Sequence, residues 1–376
     1  MTQSNVFNSI SKVKHIIKKE KNKRVFLVTG KGSYEKSGAK EYLDKCLDDL
    51  EVLQYSDFEP NPKIGDLGKG SKLVSDFKPD LMIAVGGGSV LDIAKLISSL
   101  PPELLAIEDI ITGKSLIKPR TYPLVAIPTT AGSGSECTHF AVAYIDIKKY
   151  SVANEKLVPD YVILDPKLTF SMSPYLTAVS GMDAFSQALE SYWAVEATKE
   201  SKEYAKEALK NLLAVFPDVV HKPTAESRKI MLEAAHLAGK AINISKTTGA
   251  HAVSYIITML YGIPHGHAVA LSLAEFFDFN FNKKNCSYNG NMKHEDFNII
   301  ENELLTVLKC KNIVEGKRKI ESVFLGSNLQ NKLKDVGANN RKEIDNIIKN
   351  VNIERLNNNP KKIDKMSLEN IISNIF

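Results

Sequence analysis

Between residues 24 and 170, five short runs rich in β-branched and aliphatic residues alternate with stretches of helical periodicity. The runs are KRVFLVTG, EVLQYSDF, DLMIAVGGG, YPLVAIPTTAG and DYVILDP. Strands separated by helices imply βαβ crossovers, and so a mostly parallel sheet covered on both faces. After Pro174 the strand signals stop. The remainder reads as successive helices, among them a Lys/Glu-faced one in ATKESKEYAKEALKNLLAVF and an apolar one in RKIMLEAAHLAGKAI. The sequence therefore predicts an α/β domain over residues 1–171 and an all-helical domain over 172–376. A chain of 376 residues is long enough for two separate cores.

Composition narrows the class further. With 43% hydrophobic and 25% charged residues the chain has the make-up of a soluble globular protein. No apolar run is long enough to span a bilayer, and MTQSNVFNSISKVKHIIKKEK has no signal-peptide core, so a cytoplasmic protein is expected. Cys46, Cys137, Cys286 and Cys310 lie far apart without a CxxC pair, which indicates reduced thiols rather than a disulfide framework or zinc knuckle. The formal charge of +5 comes without basic blocks interleaved with aromatics, which argues against nucleic acid and mildly favours an anionic ligand. The Asn/Lys-biased tract from Gly337 to the end keeps a period in Ile and Leu, so it is expected to form terminal helices.

Three glycine-containing turns follow strands in the first domain. In VGGGSVLDIAK, Gly86, Gly87 and Gly88 leave a strand and Ser89 opens a helix; a pyrophosphate can approach such a backbone closely and meet free N–H groups at the helix start. A plain tight turn would use the same residues. In PTTAGSGSE, Thr129, Thr130, Ser133 and Ser135 offer hydroxyl donors, although hydroxyls in loops more often satisfy the backbone. Taken with the first turn, a nucleotide-phosphate site is the better account. In VTGKGSYEKSG the first strand of the series ends in Gly30, Lys31, Gly32 and Ser33, donors without a carboxylate, which favours a 2′-phosphate and hence NADPH; Asp57, at the end of the second, remains able to reach a ribose.

In the second half, Asp183 and Gln187 stand four apart in SGMDAFSQALESYW and so project from one helix face, among the apolar neighbours Met182, Phe185 and Leu189. Desolvating a carboxylate and an amide there needs compensation. GAHAVSYIITMLYGIPHGHAVAL supplies His251 on a helical pattern and His265 in a Pro-His-Gly turn opening the next helix, so an αα-hairpin can bring the imidazoles together. Two imidazoles, one carboxylate and one amide oxygen can hold a divalent transition metal and leave positions open for a substrate. Each residue alone is more often structural; four on three apolar helices are harder to explain that way.

With these residues assembled, the chain resembles the iron-dependent (group III) alcohol dehydrogenase family over nearly its full length. GGGSVLDIAK, PTTAGSGSE, LVPDYVILDP, SGMDAFSQALE and PHGHA occur in family order and spacing. The resemblance implies an N-terminal Rossmann-like, dinucleotide-binding domain and a C-terminal helical, metal- and substrate-binding domain, usually in a homodimer. It adds Asp92 and Lys149 to the cofactor-binding set. In the family the metal is held by an Asp, a His four residues later and two His fourteen apart; Asp183, His251 and His265 match, and Gln187 stands where the second ligand is normally His. Tyr255 stands where many members carry a His near the nicotinamide. Both departures, with the second histidine of PHGHA and the stretch SKTTGAH, resemble the subgroup that reduces phosphonoacetaldehyde to 2-hydroxyethylphosphonate.

The activity implied is reduction of an aldehyde by NADPH or NADH, NADPH being favoured, at a divalent Fe2+ or Zn2+ that polarises the carbonyl. Tyr255 and His267 are candidate proton relays, with packing as their alternative role. Lys246, Thr247 and Thr248, before the His251 helix, form a candidate phosphonate pocket with His267, where N–H groups and the helix dipole favour negative charge. N-capping by either threonine is compatible with it. The rival functions are a generic short-chain alcohol dehydrogenase, a glycerol-1-phosphate dehydrogenase, a dehydroquinate-synthase-like lyase, and a nucleotide-binding protein that has lost its metal.

Overall fold

The structure is a computed structural model and describes residues 4–146, 148–282, 287–351 and 353–376; Cys286 lies outside them. The chain divides after Met172 into two compact units.

In the first unit eight strands are described: β1 (Asn5–Phe7), β2 (Arg24–Thr29), β3 (Glu51–Tyr55), β4 (Leu81–Gly86), β5 (Leu124–Pro128), β6 (Phe140–Ile145), β7 (Lys148–Ala153) and β8 (Tyr161–Ile163). Six form one sheet in the order β1-β8-β5-β4-β2-β3, and every pairing in it is parallel. The period of two in the strands explains why both faces are buried. Val25, Leu27, Leu81, Ile83, Val85, Val125 and Ile127 enter one core, and Phe26, Val28, Met82, Ala84, Leu124 and Ala126 enter the other. From β2 the chain moves outward to β3, then crosses back to β4 on the other side of β2. The strand order therefore switches between β2 and β4, where open α/β sheets offer a crevice at the strand carboxyl ends.

Two features were not among the strands predicted from sequence. β1 is three residues long and pairs with β8 at the sheet edge. β6 and β7 form a separate antiparallel hairpin that sends Ala141, Ala143 and Val152 into one of the sheet cores. Its sequence FAVAYIDIKKYSVA carries no Gly or Pro at the turn; Asp146 takes the left-handed conformation there instead, at φ 52°.

The second unit is built on helices. The Asp183 helix, Pro174–Trp193, is N-capped by Ser173, whose hydroxyl oxygen accepts from the Leu176 N–H at 3.2 Å. Every residue from Thr177 to Trp193 is buried, so its polar side chains are all internal. The His251 helix, Gly249–Tyr261, ends at Gly262, left-handed at φ 67°, and Pro264 precedes the His265 helix, His265–Phe281. Terminal helices follow at Lys342–Asn350, Ile353–Leu356 and Lys365–Asn374. Among the described residues no helix is long and apolar enough to cross a membrane.

Candidate metal centre and nucleotide cradle

The three helices of the second unit converge on Asp183, His251 and His265. One ligand atom of each lies within 4.8 Å of those of the other two. The convergence depends on glycines. A Cβ on Gly266 would stand 2.2 Å from the Val179 carbonyl oxygen and 3.1 Å from the Asp183 nitrogen, so glycine lets the His265 helix touch the Asp183 helix backbone to backbone. A Cβ on Gly249 would stand 2.2 Å from the Phe276 ring, which packs the His251 helix against the His265 helix in the same way. The two imidazoles meet edge to face with centroids 5.3 Å apart. Gln187 lies one turn after Asp183 and is buried.

Glu190, which the sequence reading did not single out, is fully buried and organises the cluster from behind. Its Oε1 accepts from the backbone N–H groups of Thr248 at 3.2 Å, Ala250 at 2.9 Å and His251 at 3.3 Å, and from the Thr248 hydroxyl at 2.7 Å. Its Oε2 takes the His251 Nδ1–H. That bond assigns the tautomer and leaves His251 Nε2 directed at Asp183 Oδ1, 3.5 Å away. Burial by itself would lower the His251 imidazole, but the charge of Glu190, the approach of Asp183 and the bond to Glu190 push it up to about 9. Burial would likewise raise the Asp183 carboxyl; the neighbouring His251 and His265 rings and Gln187 hold it below its usual range.

A divalent metal fits this donor set. Asp183 Oδ1 is buried and receives no hydrogen bond among the described residues. His265 Nδ1 is engaged by the Ser254 hydroxyl at 3.2 Å, which makes Nε2 the ring nitrogen that a metal would take. A carboxylate oxygen and two imidazole nitrogens at this spacing suit Fe2+ or Zn2+.

The remaining candidates separate. Tyr255 lies beside the cluster, its ring stacked on His265 at 5.2 Å and 9°. His267 does not join it. Two residues beyond His265, it turns to the other side of the helix, where Nε2 bonds the Gln330 carbonyl at 2.6 Å, its ring packs edge-on to Phe324, and burial lowers its pKa.

The residues of the expected phosphonate pocket, Lys246, Thr247 and Thr248, have other partners within the chain. The N–H groups at the start of the His251 helix already face a carboxylate, Glu190. Thr248 is buried, giving its hydroxyl proton to Glu190 and accepting from Trp193 Nε1 at 2.9 Å. The Thr247 carbonyl accepts from Asn358, and the exposed Lys246 ammonium pairs with Glu196 at 2.9 Å.

In the first unit the three turns sit at the carboxyl ends of the adjacent strands β2, β4 and β5. The Thr129 N–H donates to the Gly86 carbonyl at 3.0 Å, and Thr130 lies 3.5 Å from where a Gly87 Cβ would be. A Cβ on Gly88 would stand 2.7 Å from Ser133 Oγ, and one on Gly30 would stand 2.4 Å from Ser33 Oγ. The helix Gly88–Ile97 opens at this junction with Ser89 in its first turn, Ser89 Oγ accepting from Asn61 N–H at 3.3 Å.

Asp92 is placed differently from its expected cofactor role. It is spent within the loop, accepting from the Ser135 hydroxyl and from Val142 N–H at 3.0 Å, and burial raises its pKa. Lys95, missed in the sequence, is fully buried and ties the same loop through the Ser135 carbonyl at 3.0 Å and the Thr138 hydroxyl at 3.1 Å. Lys149, on β7, adds a positive charge near Asp92. Beyond β2, Gly32 precedes a short helix, Ser33–Lys36, and the exposed Lys31 pairs with Glu59 at 2.9 Å and Asp57 at 3.9 Å.

Comparison with known proteins agrees with this geometry. The family model for iron-containing alcohol dehydrogenase matches residues 5–166, and the C-terminal model of the Fe-containing alcohol dehydrogenase family matches residues 177–376. The chain belongs to the iron-containing alcohol dehydrogenase family. Within the family it is 34% identical over 225 residues to long-chain-alcohol dehydrogenase 1 of Geobacillus thermodenitrificans, covering 59% of this chain and 57% of that protein. It is 32% identical over 214 residues to a phosphonoacetaldehyde reductase of Streptomyces viridochromogenes, covering 54% of each. The chain thus spans little more than half the length of these two relatives. The solved structure of sulfoacetaldehyde reductase from Bifidobacterium kashiwanohense in complex with NAD+ superposes with a TM-score of 0.89 at 26% identity, over 100% of this chain and 97% of that one.

Proposed function

We propose that the chain is an NAD(P)H-linked, metal-dependent aldehyde reductase whose substrate is a two-carbon aldehyde bearing an acidic head group, phosphonoacetaldehyde, reduced to 2-hydroxyethylphosphonate. The observation that carries the chemistry is the convergence of Asp183, His251 and His265 around a buried carboxylate oxygen that no hydrogen bond among the described residues satisfies. Similarity to a phosphonoacetaldehyde reductase and to a sulfoacetaldehyde reductase supports the substrate class.

A divalent metal held by Asp183, Gln187, His251 and His265 would polarise the carbonyl and offset the negative charge that its oxygen gains as hydride arrives from the nicotinamide. The chain's own residues prepare that step. Glu190 keeps a proton on His251 Nδ1, so the Nε2 proton is the one that a metal would displace. Gln187 contributes an amide oxygen in place of an imidazole, a neutral donor for a neutral donor, with weaker affinity for such metals.

Tyr255 is the group suited to supply the final proton. A tyrosine hydroxyl is protonated at neutral pH, and the ring is held against His265. In the cradle, Lys31 already meets Glu59 and Asp57, so a cofactor 2′-phosphate would approach two carboxylates. This favours NADH over the NADPH expected from sequence alone.

The test is a screen of metal-reconstituted protein with NADH and NADPH against phosphonoacetaldehyde and propanal. The expected result is NADH oxidation with phosphonoacetaldehyde at a kcat/KM at least about tenfold above that with propanal, about 1.4 kcal/mol of discrimination. Stable nucleotide binding without oxidation of either cofactor by any aldehyde would overturn the assignment.

A further inference from the structure

An acidic head group needs a positively charged partner, and the structure removes the candidates that sequence suggested. Glu190 occupies the start of the His251 helix, Lys246 pairs with Glu196, and His267 bonds a carbonyl. Two buried cations of the same unit are engaged elsewhere: Arg228 gives a hydrogen bond to the Thr177 hydroxyl at 2.8 Å, and Lys361 to the Asn282 carbonyl.

Arg355 is placed differently. It lies on the one-turn helix Ile353–Leu356, and its guanidinium carbon sits 4.5 Å from the centroid of the Tyr255 ring. Tyr255 in turn stacks on His265. Cation and imidazole thus both lie against the Tyr255 ring, which connects Arg355 to one of the candidate metal ligands. The two spacings put the guanidinium no more than about 10 Å from the His265 ring, a reach that fits a planar fork meeting an oxyanion carried by a short substrate. Over an aromatic face, a guanidinium keeps its in-plane N–H donors at its rim for bidentate contact with such a group.

We propose that Arg355 recognises the phosphonate or sulfonate oxygens of the substrate, with Tyr255 as the spacer that sets its distance from His265. This rests on the aldehyde-reductase assignment above and gives that site its preference for an anionic tail. The N–H groups of Arg355 donate to two oxygens of one tetrahedral acid group, and a neutral aldehyde of the same length leaves them in water. Tyr255 then has two tasks, fixing the guanidinium plane and presenting its own hydroxyl.

The experiment compares Arg355→Gln, whose planar amide still stacks on Tyr255 but carries no charge, with Arg355→Lys, which keeps the charge. Binding of ethylphosphonate, an unreactive anion, is measured by calorimetry alongside KM for phosphonoacetaldehyde and propanal. Metal content and Tm are recorded for each protein. Arg355→Gln is expected to weaken ethylphosphonate binding and raise KM for phosphonoacetaldehyde about ten- to a hundredfold, the loss of a charge-assisted contact, with KM for propanal unchanged. Arg355→Lys recovers part of both.

Equal KM changes for the two aldehydes, or ethylphosphonate binding that is indifferent to both variants, overturns the role of Arg355 while the reductase assignment stands. Wild-type protein that turns over no aldehyde sinks that assignment instead. The ethylphosphonate titration still decides for or against Arg355 in that case, because it needs no turnover.

Discussion

The nucleotide cradle and the metal centre are built by opposite means. The candidate cradle is made of missing side chains: Gly30, Gly86 and Gly88 sit where a Cβ would strike Ser33, Val90 and Ser133. The metal centre is made of long polar side chains carried into an apolar helix bundle, each needing a partner to offset its desolvation. One site excludes bulk; the other balances charge. The two are therefore expected to fail differently.

The largest separation comes from Asp183→Ala. Removing the only carboxylate of the ligand cluster is expected to abolish metal retention and lower turnover at least about a thousandfold, the loss of several kcal/mol of charge stabilisation. Nucleotide affinity, followed by quenching of intrinsic fluorescence, stays as in the wild type. A parallel loss of nucleotide binding would break the contrast.

Glu190→Gln sharpens it. The amide keeps the shape but loses the charge that faces three N–H groups and the His251 ring, so metal affinity in a chelator competition is expected to fall about ten- to a hundredfold. Unchanged affinity would reduce Glu190 to a helix cap.

The smallest effect is expected for Gly88→Ala, whose added methyl meets the side chain of Ser133 rather than backbone. Ser133 gives way, so KM for NADH rises by no more than about tenfold and elemental analysis shows full metal content.

What the sequence disclosed follows the same division. The cradle was legible because glycines after strands leave a local signature, and the five predicted strands reappear as β2, β3, β4, β5 and β8. Asp183, His251 and His265 were legible because charged or polar residues stood out from apolar helices. Glu190 was not, although it lies seven residues beyond Asp183 on the same face: its partners, Thr248 to His251, are about sixty residues away, and only tertiary structure reveals that its carboxylate closes their helix.

The same contact bears on the expected phosphonate pocket. SKTTGAH has the composition of an anion-binding helix start, and it does bind an anion, one supplied by the chain itself. His267 misled for a simpler reason, since two helical steps from His265 carry a side chain to the opposite face. Asp92 and Lys95 show the limit from the other side: both sit in the glycine motif, yet they fasten the following loop from within.

At Gly266 two main chains meet with no room for a methyl group between them. The spacing of the Asp183 and His265 helices is thereby set by main-chain contact, independently of which side chain stands at 187. A substitution at 187 would then change the chemistry of that position without re-spacing the frame around it.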